Sequence, residues 1–241
     1  MDNIAVIIPA RSGSKSLPNK NIKSYHGHPL FAHSILLAQK SEYILPQNIF
    51  LLTDSQEYAS IGQQYGAQIP FIRPSHISDD LSTDSELFEY FIEHYQESYK
   101  YEYIIHLRPT YPNRNVSLLN DTIHTILRNP EYDSLRTVVP IDVLPFKMYH
   151  INTHQNELIP IFNHYRDIQE PYNQPRQLFP QTFLHNGCID IFRLSTLLHK
   201  KSITGNKIYP YVMNEKEIHD IDTENDFLES QHAQSESIFL S

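Results

Sequence analysis

The chain has 241 residues, a formal net charge of −9 at pH 7 and one cysteine, Cys188. That length suits a single α/β domain with an elaboration, the charge argues against a general nucleic-acid binder, and a lone cysteine excludes an intramolecular disulfide and fits a reducing, cytoplasmic compartment. No run of about 18 apolar residues predicts a transmembrane helix, and the N-terminus enters a strand at once, without a signal-peptide layout.

The apolar run Ile4 to Ile8 predicts a strand buried on both faces, ended by Pro9. The loop from Ala10 to Asn21 follows, with small residues that let backbone approach a ligand. Gly13 can take a positive φ there, and Arg11, Lys15 and Lys20 add three cations. A cationic, small-residue turn after the first strand is what a triphosphate needs; the plainer alternative is a solvated basic turn.

Leu30 to Ser41 carries Leu30, Phe31, Ile35, Leu36 and Ala38 at helical spacing. Asn48 to Thr53 predicts the second strand, with Asp54 at its end, and Gln56 to Tyr65 a helix stopped by Gly66. Ala67 to Ile72 reads as a short third strand, closed by Arg73 and Pro74. Thr83 and Glu86 form a capping box that opens a helix with Leu87, Phe88, Phe91, Ile92 and Tyr95 inward. Tyr103 to Leu107 is a further strand, followed by the loop Arg108-Pro-Thr-Tyr-Pro112. Val116 to Arg128 is helical and Leu135 to Val139 extended. This alternation implies a mostly parallel sheet with helices on both faces, and ligands beyond the carboxyl ends of its strands.

Pro140 to Pro180 breaks the rhythm with six prolines and is too long for a βα connection. It reads as an excursion away from the sheet, with a hairpin through Lys147–Asn152 and Leu158–Phe162. The chain returns through the strand Cys188 to Phe192, a short helix over Ser195 to Lys201 and a strand over Ile208 to Met213. In the closing HDIDTEND segment Asp220 and Asp222 alternate on an extended chain, so both carboxylates can reach one ion. With phosphate oxygens they suit Mg²⁺. The plainer reading is an acidic turn before the last helix. The 14 histidines offer His26 with His28, or His150 with His154, but neither pair has the spacing of a zinc site.

IPARSGSKSLPNKN, RPTYP, QPRQLFPQTFLHNG and HDIDTEND, in this order, resemble the CMP-sialic acid synthetases, or acylneuraminate cytidylyltransferases, over almost the whole chain. The resemblance implies a Rossmann-like nucleotidyltransferase fold, CTP and an acidic nine-carbon keto sugar as substrates, Mg²⁺ and a homodimer. The chain would be one cytidylyltransferase domain over residues 1–241, with the 140–180 excursion as its dimerisation element. It would assign Arg11, Lys15, Lys20, Asn21, Arg73 and Ser82 to the nucleotide, with Arg11, Lys20 and Asp222 supporting the chemistry. Asp220 and Asp222 would hold the metal, and Arg108, Lys147, Arg176, Gln177, Asn186 and Asp190 would meet the sugar acid. Three positions depart from the pattern: Arg108 stands where glutamine is frequent, Asp190 where tyrosine is frequent and Leu184 where an arginine can occur.

The expected reaction is in-line attack by the anomeric hydroxyl on the α-phosphorus of CTP, releasing pyrophosphate, with catalysis by positioning and charge neutralisation. The sugar is N-acetylneuraminate or a diamino relative such as legionaminic or pseudaminic acid. The alternatives are a cytidylyltransferase for Kdo and a non-catalytic nucleotide-sugar binding protein.

Overall fold

The structure, a computed structural model, describes residues 3–213 and 220–232. Strand β1 (Ile4–Pro9) is buried along its length except at Pro9, as an unbroken apolar run requires. A two-strand ribbon, β2 (Ser24–Tyr25) and β3 (His28–Pro29), turns on His26 and Gly27, both at positive φ. Helix α1 (Leu30–Gln39) buries eight of its ten residues and ends two residues before the predicted stop. Strand β4 (Ile49–Leu52) lies parallel to β1, with Val6 opposite Ile49. Helix α2 (Gln56–Gln64) is capped by Ser55, which accepts from the Tyr58 N–H, and stops at Gly66 with φ of 90°.

The third strand expected over 67–72 does not form. Only Gln68 bridges to Phe50, by hydrogen bonds to Ile49 and Leu51. Pro70 has no N–H with which to carry the ladder further.

Helix α3 (Asp84–His94) opens on the predicted capping box: the Thr83 N–H donates to Glu86 at 2.7 Å, and the Glu86 N–H donates to the Thr83 hydroxyl at 3.2 Å. Leu87, Phe88, Phe91 and Ile92 face the core. Strand β5 (Tyr103–His106) lies parallel to β1 on its other side. Helix α4 (Val116–Arg128) precedes β6 (Ser134–Ile141), β7 (Tyr149–Asn152), β8 (Glu157–Pro160) and the short β9 (His164–Tyr165) and β10 (Ile168–Gln169). Strand β11 (Thr182–Arg193) is far longer than the five residues expected, and pairs antiparallel with β5. Helices α5 (Leu194–Lys200) and α6 (Glu224–His232) flank β12 (Ile208–Val212) in the chain.

The main sheet has the order β12-β6-β11-β5-β1-β4, so this is an α/β fold with a mostly parallel six-stranded sheet. One core cluster joins Ile7, Phe50 and Ile104 of the sheet to Leu87, Phe88 and Phe91 of α3 and Phe192 of β11. Each such side chain contributes about 1.5–3 kcal/mol by leaving water. A smaller cluster, Leu17, Tyr25, Leu30, Ile221 and Phe227, brings the cationic loop and the C-terminal segment together.

The described residues divide into two compact units. Residues 3–137, 186–211 and 220–232 make one, and 138–185 with 212–213 the other. The second holds the hairpin anticipated in the excursion, β7 against β8, with Ile151 opposite Leu158. Its own small core is Leu144, Phe146 and Phe179, with Tyr165 and Ile168 packed on it. Among the described residues no helix is long and apolar enough to cross a membrane.

Candidate nucleotide and metal site

The larger unit carries a cavity of about 460 Å³ beyond the carboxyl ends of β1 and β5, lined by Pro9, Arg11, Lys15, Lys20, Asn21, Arg73, Ser82, Arg108 and Asp222, among others. Eight of the residues singled out in the sequence therefore meet around one space.

The loop after β1 is held from three sides. Asp54, just past β4, accepts from the Ser12 N–H at 2.7 Å and the Ser12 hydroxyl at 2.9 Å. The Asn21 amide donates to the Arg11 carbonyl at 2.8 Å, and Leu17 is buried in the small cluster. The loop's left-handed residue is Asn19, at φ of 54°. Gly13 is not among the positive-φ glycines and has open space where a Cβ would stand. The expectation of a positive φ at Gly13 is therefore corrected; asparagine, which tolerates this conformation, adopts it nearer Lys20.

Lys20 is buried, and its ammonium donates to the Ile221 carbonyl at 2.8 Å and to Asp222 Oδ1 at 3.1 Å. One side chain thus ties the N-terminal loop to a segment some 200 residues later. Ile221 is fully buried and its N–H donates to the Thr110 carbonyl at 2.9 Å, so the flanking Asp220 and Asp222 both turn outward, as alternation along an extended chain demands.

Although Asp220 is exposed overall, the protein around its carboxyl partly desolvates it; this, opposed by a hydrogen bond with Thr110 and aided by the Asp222 charge, raises the Asp220 carboxyl above its ordinary value. Two carboxylates alternating on one extended segment, of which Asp222 lines the cationic cavity, are a fitting donor pair for a hard divalent cation. Among the described residues no group of three or more histidine, cysteine or acidic side chains is placed to hold a metal. Any ion held by this pair must complete its shell with water or substrate oxygens, as Mg²⁺ does.

Arg73 is buried, donates from its guanidinium to the Ile77 carbonyl, and has its Nε without a hydrogen-bond partner. Burial lowers its pKa, opposed by Asp54 and Asp84. The Ser82 hydroxyl lies within the turn made by Asp79, at 2.9 Å from its carboxylate.

Arg108 carries two carboxylates, Asp190 at 2.6 Å on one terminal nitrogen and Asp84 at 3.1 Å on the other. Burial presses its pKa down, and the two acids outweigh that and hold it above the ordinary value. Beside them lies His106, fully buried, neither ring nitrogen hydrogen-bonded, with Nδ1 3.8 Å from Asp84. Burial and then the Arg108 charge press its pKa to about 4, so it is neutral. The RPTYP turn is fixed from below by Arg114, which donates to the Cys188 carbonyl, the Ser34 hydroxyl and the Arg108 carbonyl.

Sequence reasoning missed Asp79, Asp80 and Asp84, which line the same cavity. Asp80 pairs with Arg11 at 2.8 Å and with Lys15 at 2.5 Å. The signal for Asp79 and Asp80 was the acidic pair just upstream of the capping box, and Asp84 lies within the box as the first residue of α3; all three read as solvated until the fold sets them against the basic side chains.

The residues expected at the sugar are spread between the units. Asn186 is buried in the larger one, its side-chain oxygen accepting from the Thr137 hydroxyl and the Cys188 N–H. Lys147, Arg176 and Gln177 are exposed and belong to the smaller unit. There Arg176 pairs with Asp142 at 2.9 Å and, with Gln177, Leu144 and Phe179, borders a cavity of about 260 Å³.

The pattern of the family described as Cytidylyltransferase matches residues 5–166. CMP-N,N'-diacetyllegionaminic acid synthase of Campylobacter jejuni is 31% identical over 94% of this chain and 93% of its own, and that of Legionella pneumophila 29% identical over 93% of each. The N-acylneuraminate cytidylyltransferase of Escherichia coli is 27% identical over 93% of this chain and 50% of its own. Among solved structures, CMP:2-keto-3-deoxy-manno-octonic acid synthetase complexed with CTP matches with a TM-score of 0.65 at 15% identity, covering 95% of this chain and 96% of that one. With the family pattern spanning the cationic loop, β1, β5 and the RPTYP turn, this chain belongs to the cytidylyltransferase family of nucleotidyltransferase enzymes.

Proposed function

We propose that this enzyme transfers CMP from CTP to the anomeric hydroxyl of a nonulosonic acid, releasing pyrophosphate. The observation that carries the reading is the convergence of Arg11, Lys15, Lys20 and Arg73 on one cavity at the carboxyl ends of parallel strands, with Asp222 held at its edge by Lys20. A triphosphate is the small ligand whose charge answers such a cradle. The relatives named for N,N'-diacetyllegionaminic acid and N-acylneuraminate point to an acidic nine-carbon keto sugar as the acceptor.

In this reading Arg11, Lys15 and Lys20 bind the phosphates, and Asn21 keeps Arg11's backbone in place. Arg73 and Ser82 lie toward the nucleotide. Lys20 stabilises the charge that develops as the α-phosphorus is attacked, by a donor already oriented on the Ile221 carbonyl. Asp220 and Asp222 would hold Mg²⁺, which when bound supplies charge neutralisation at the phosphates. In the larger unit Arg108, Asp190 and Asn186 are the candidates that select the sugar acid; in the smaller one Lys147, Arg176 and Gln177 are candidates for the same ligand class. The smaller unit, exposing Ile151, Leu158, Ile161 and Phe162, is the dimerisation element, and a cytoplasmic homodimer is the working form.

The test is pyrophosphate release with CTP against a panel of N-acetylneuraminate, 5,7-diamino nonulosonic acids and Kdo. Turnover confined to nonulosonic acids is the expected result. Turnover with Kdo alone, or CTP binding without turnover on any acid, would overturn it.

A further inference from the structure

We infer that Asp80 is an internal stand-in for a phosphate group: its carboxylate occupies the anion subsite between Arg11 and Lys15, and a bound triphosphate must displace it. The inference rests on the reading of this loop as the triphosphate site and adds what fills the subsite beforehand.

The geometry is that of a bridging anion. Asp80 spends one oxygen on Arg11, at 2.8 Å, and the other on Lys15, at 2.5 Å. Phosphate oxygens bridge two cations in the same way. Arg11 is further engaged by the Asp79 carbonyl, at 2.7 Å. The two loop cations on this side of the cavity are therefore both satisfied from one short segment.

That segment is built to hold its shape while remaining only lightly attached. The Asp79 carboxylate accepts from the N–H groups of Leu81 and Ser82 and from the Ser82 hydroxyl, at 2.8–2.9 Å, closing a turn on itself. Leu81, between them, is 89% exposed and buries nothing. Immediately after it the Thr83–Glu86 capping box starts α3, a firm base from which the turn projects. The charge contacts made by Asp80 are accordingly replaceable: a triphosphate brings more charge to the same two cations, and no apolar core has to be opened. The Lys15 hydrogen bond, chiefly, lowers the Asp80 carboxyl, so it is ionised and competes at neutral pH.

Asp80 thus weakens nucleotide affinity and suppresses capture of lone anions, because a single inorganic phosphate gains little by replacing a carboxylate that is already there. The test uses isothermal titration of the full-length protein with CTP and with inorganic tripolyphosphate. Asp80→Asn should tighten both by roughly three- to tenfold, the scale of two exposed ion pairs. In a Lys15→Gln background the same substitution should gain clearly less, because one of the two competed cations is gone. Melting curves of each variant without ligand confirm an intact fold, as the exposure of both side chains leads one to expect.

Unchanged or weaker CTP binding by Asp80→Asn overturns the inference while leaving the triphosphate site standing. A gain of equal size in the Lys15→Gln background also overturns it, since the effect would then be unshared charge acting through space. Failure of the wild-type protein to bind CTP or tripolyphosphate at all would overturn both the site and the inference.

Discussion

Replacing Arg108 by glutamine probes the double ion pair at the edge of the cavity. Arg108 holds Asp190, whose side chain is 7% exposed, by a 2.6 Å contact, and Asp84, 38% exposed, by a 3.1 Å contact. Removing one partner of a buried ion pair typically costs about 3–5 kcal/mol, because the other charge is left without compensation. Here Arg136, with Nε 3.9 Å from Asp190, can take up part of that charge, and Asp84 can turn to water. A loss of roughly 2–4 kcal/mol remains, a fall in melting temperature of roughly 5–15 °C for a protein of this size. Arg108→Gln should therefore melt early, and Arg108→Gln combined with Asp190→Asn should recover about half the loss, because the buried pair is then neutral on both sides. Differential scanning calorimetry reads both. An Arg108→Gln protein melting within about 2 °C of wild type would refute the reasoning. On the folded protein the substitution should also shift the kcat/KM ratio between N-acetylneuraminate and a 5,7-diamino relative by roughly tenfold or more, the price of one mismatched polar contact, with KM for CTP little changed.

Lys20→Met keeps the stem and removes the charge, leaving the buried Ile221 carbonyl without its donor; turnover should fall on the order of 10²- to 10³-fold, and initial rates of pyrophosphate release at saturating CTP check it. Asp222→Asn should cost on the order of 10²-fold in rate and leave the protein folded, since Lys20 keeps the Ile221 carbonyl and an asparagine oxygen can still accept from it; near wild-type kcat at saturating Mg²⁺ would refute the proposed role of Asp222 as a metal ligand. His33 and His106 are both buried and pressed to about 4, His33 by burial despite its hydrogen bond to the Tyr25 carbonyl. Because both folded values lie below the ordinary 6.5, folding excludes their protons. Stability is unaffected above pH 6.5 and is lost as pH falls toward 4, by about 2 kcal/mol per histidine at pH 5. Urea midpoints at pH 7.5 and 5 should show this loss, and His106→Phe should remove about half of it.

Much of the cavity's inventory is readable in the linear chain because its parts obey local rules. The apolar run of β1 ends at a proline, and a cationic turn has nowhere to go but the strand's carboxyl end. The Thr83–Glu86 box is a contact between neighbours in sequence. Alternation along Asp220-Ile-Asp222 places the two acids on one side whatever they face. Other features depend on residues brought together only by folding. Asp80 lies about 70 residues from Arg11, and nothing in either segment names the other. Arg108 reads as a free cation in its loop and becomes half of a double ion pair once β11 lies antiparallel beside β5 and α3 begins alongside. Lys20 is a surface-looking residue until Ile221, 201 positions later, buries beside it. The failed strand at 67–72 shows the same division from the other side: its apolar pattern suggests a strand, but Pro70 lacks the donor that a ladder needs. Composition and spacing determined which chemistry is present, because they depend on side-chain type and local geometry. Which charges meet, and which are neutralised before a ligand arrives, was decided by the tertiary structure, because Coulomb interactions depend on distance in space and not along the chain.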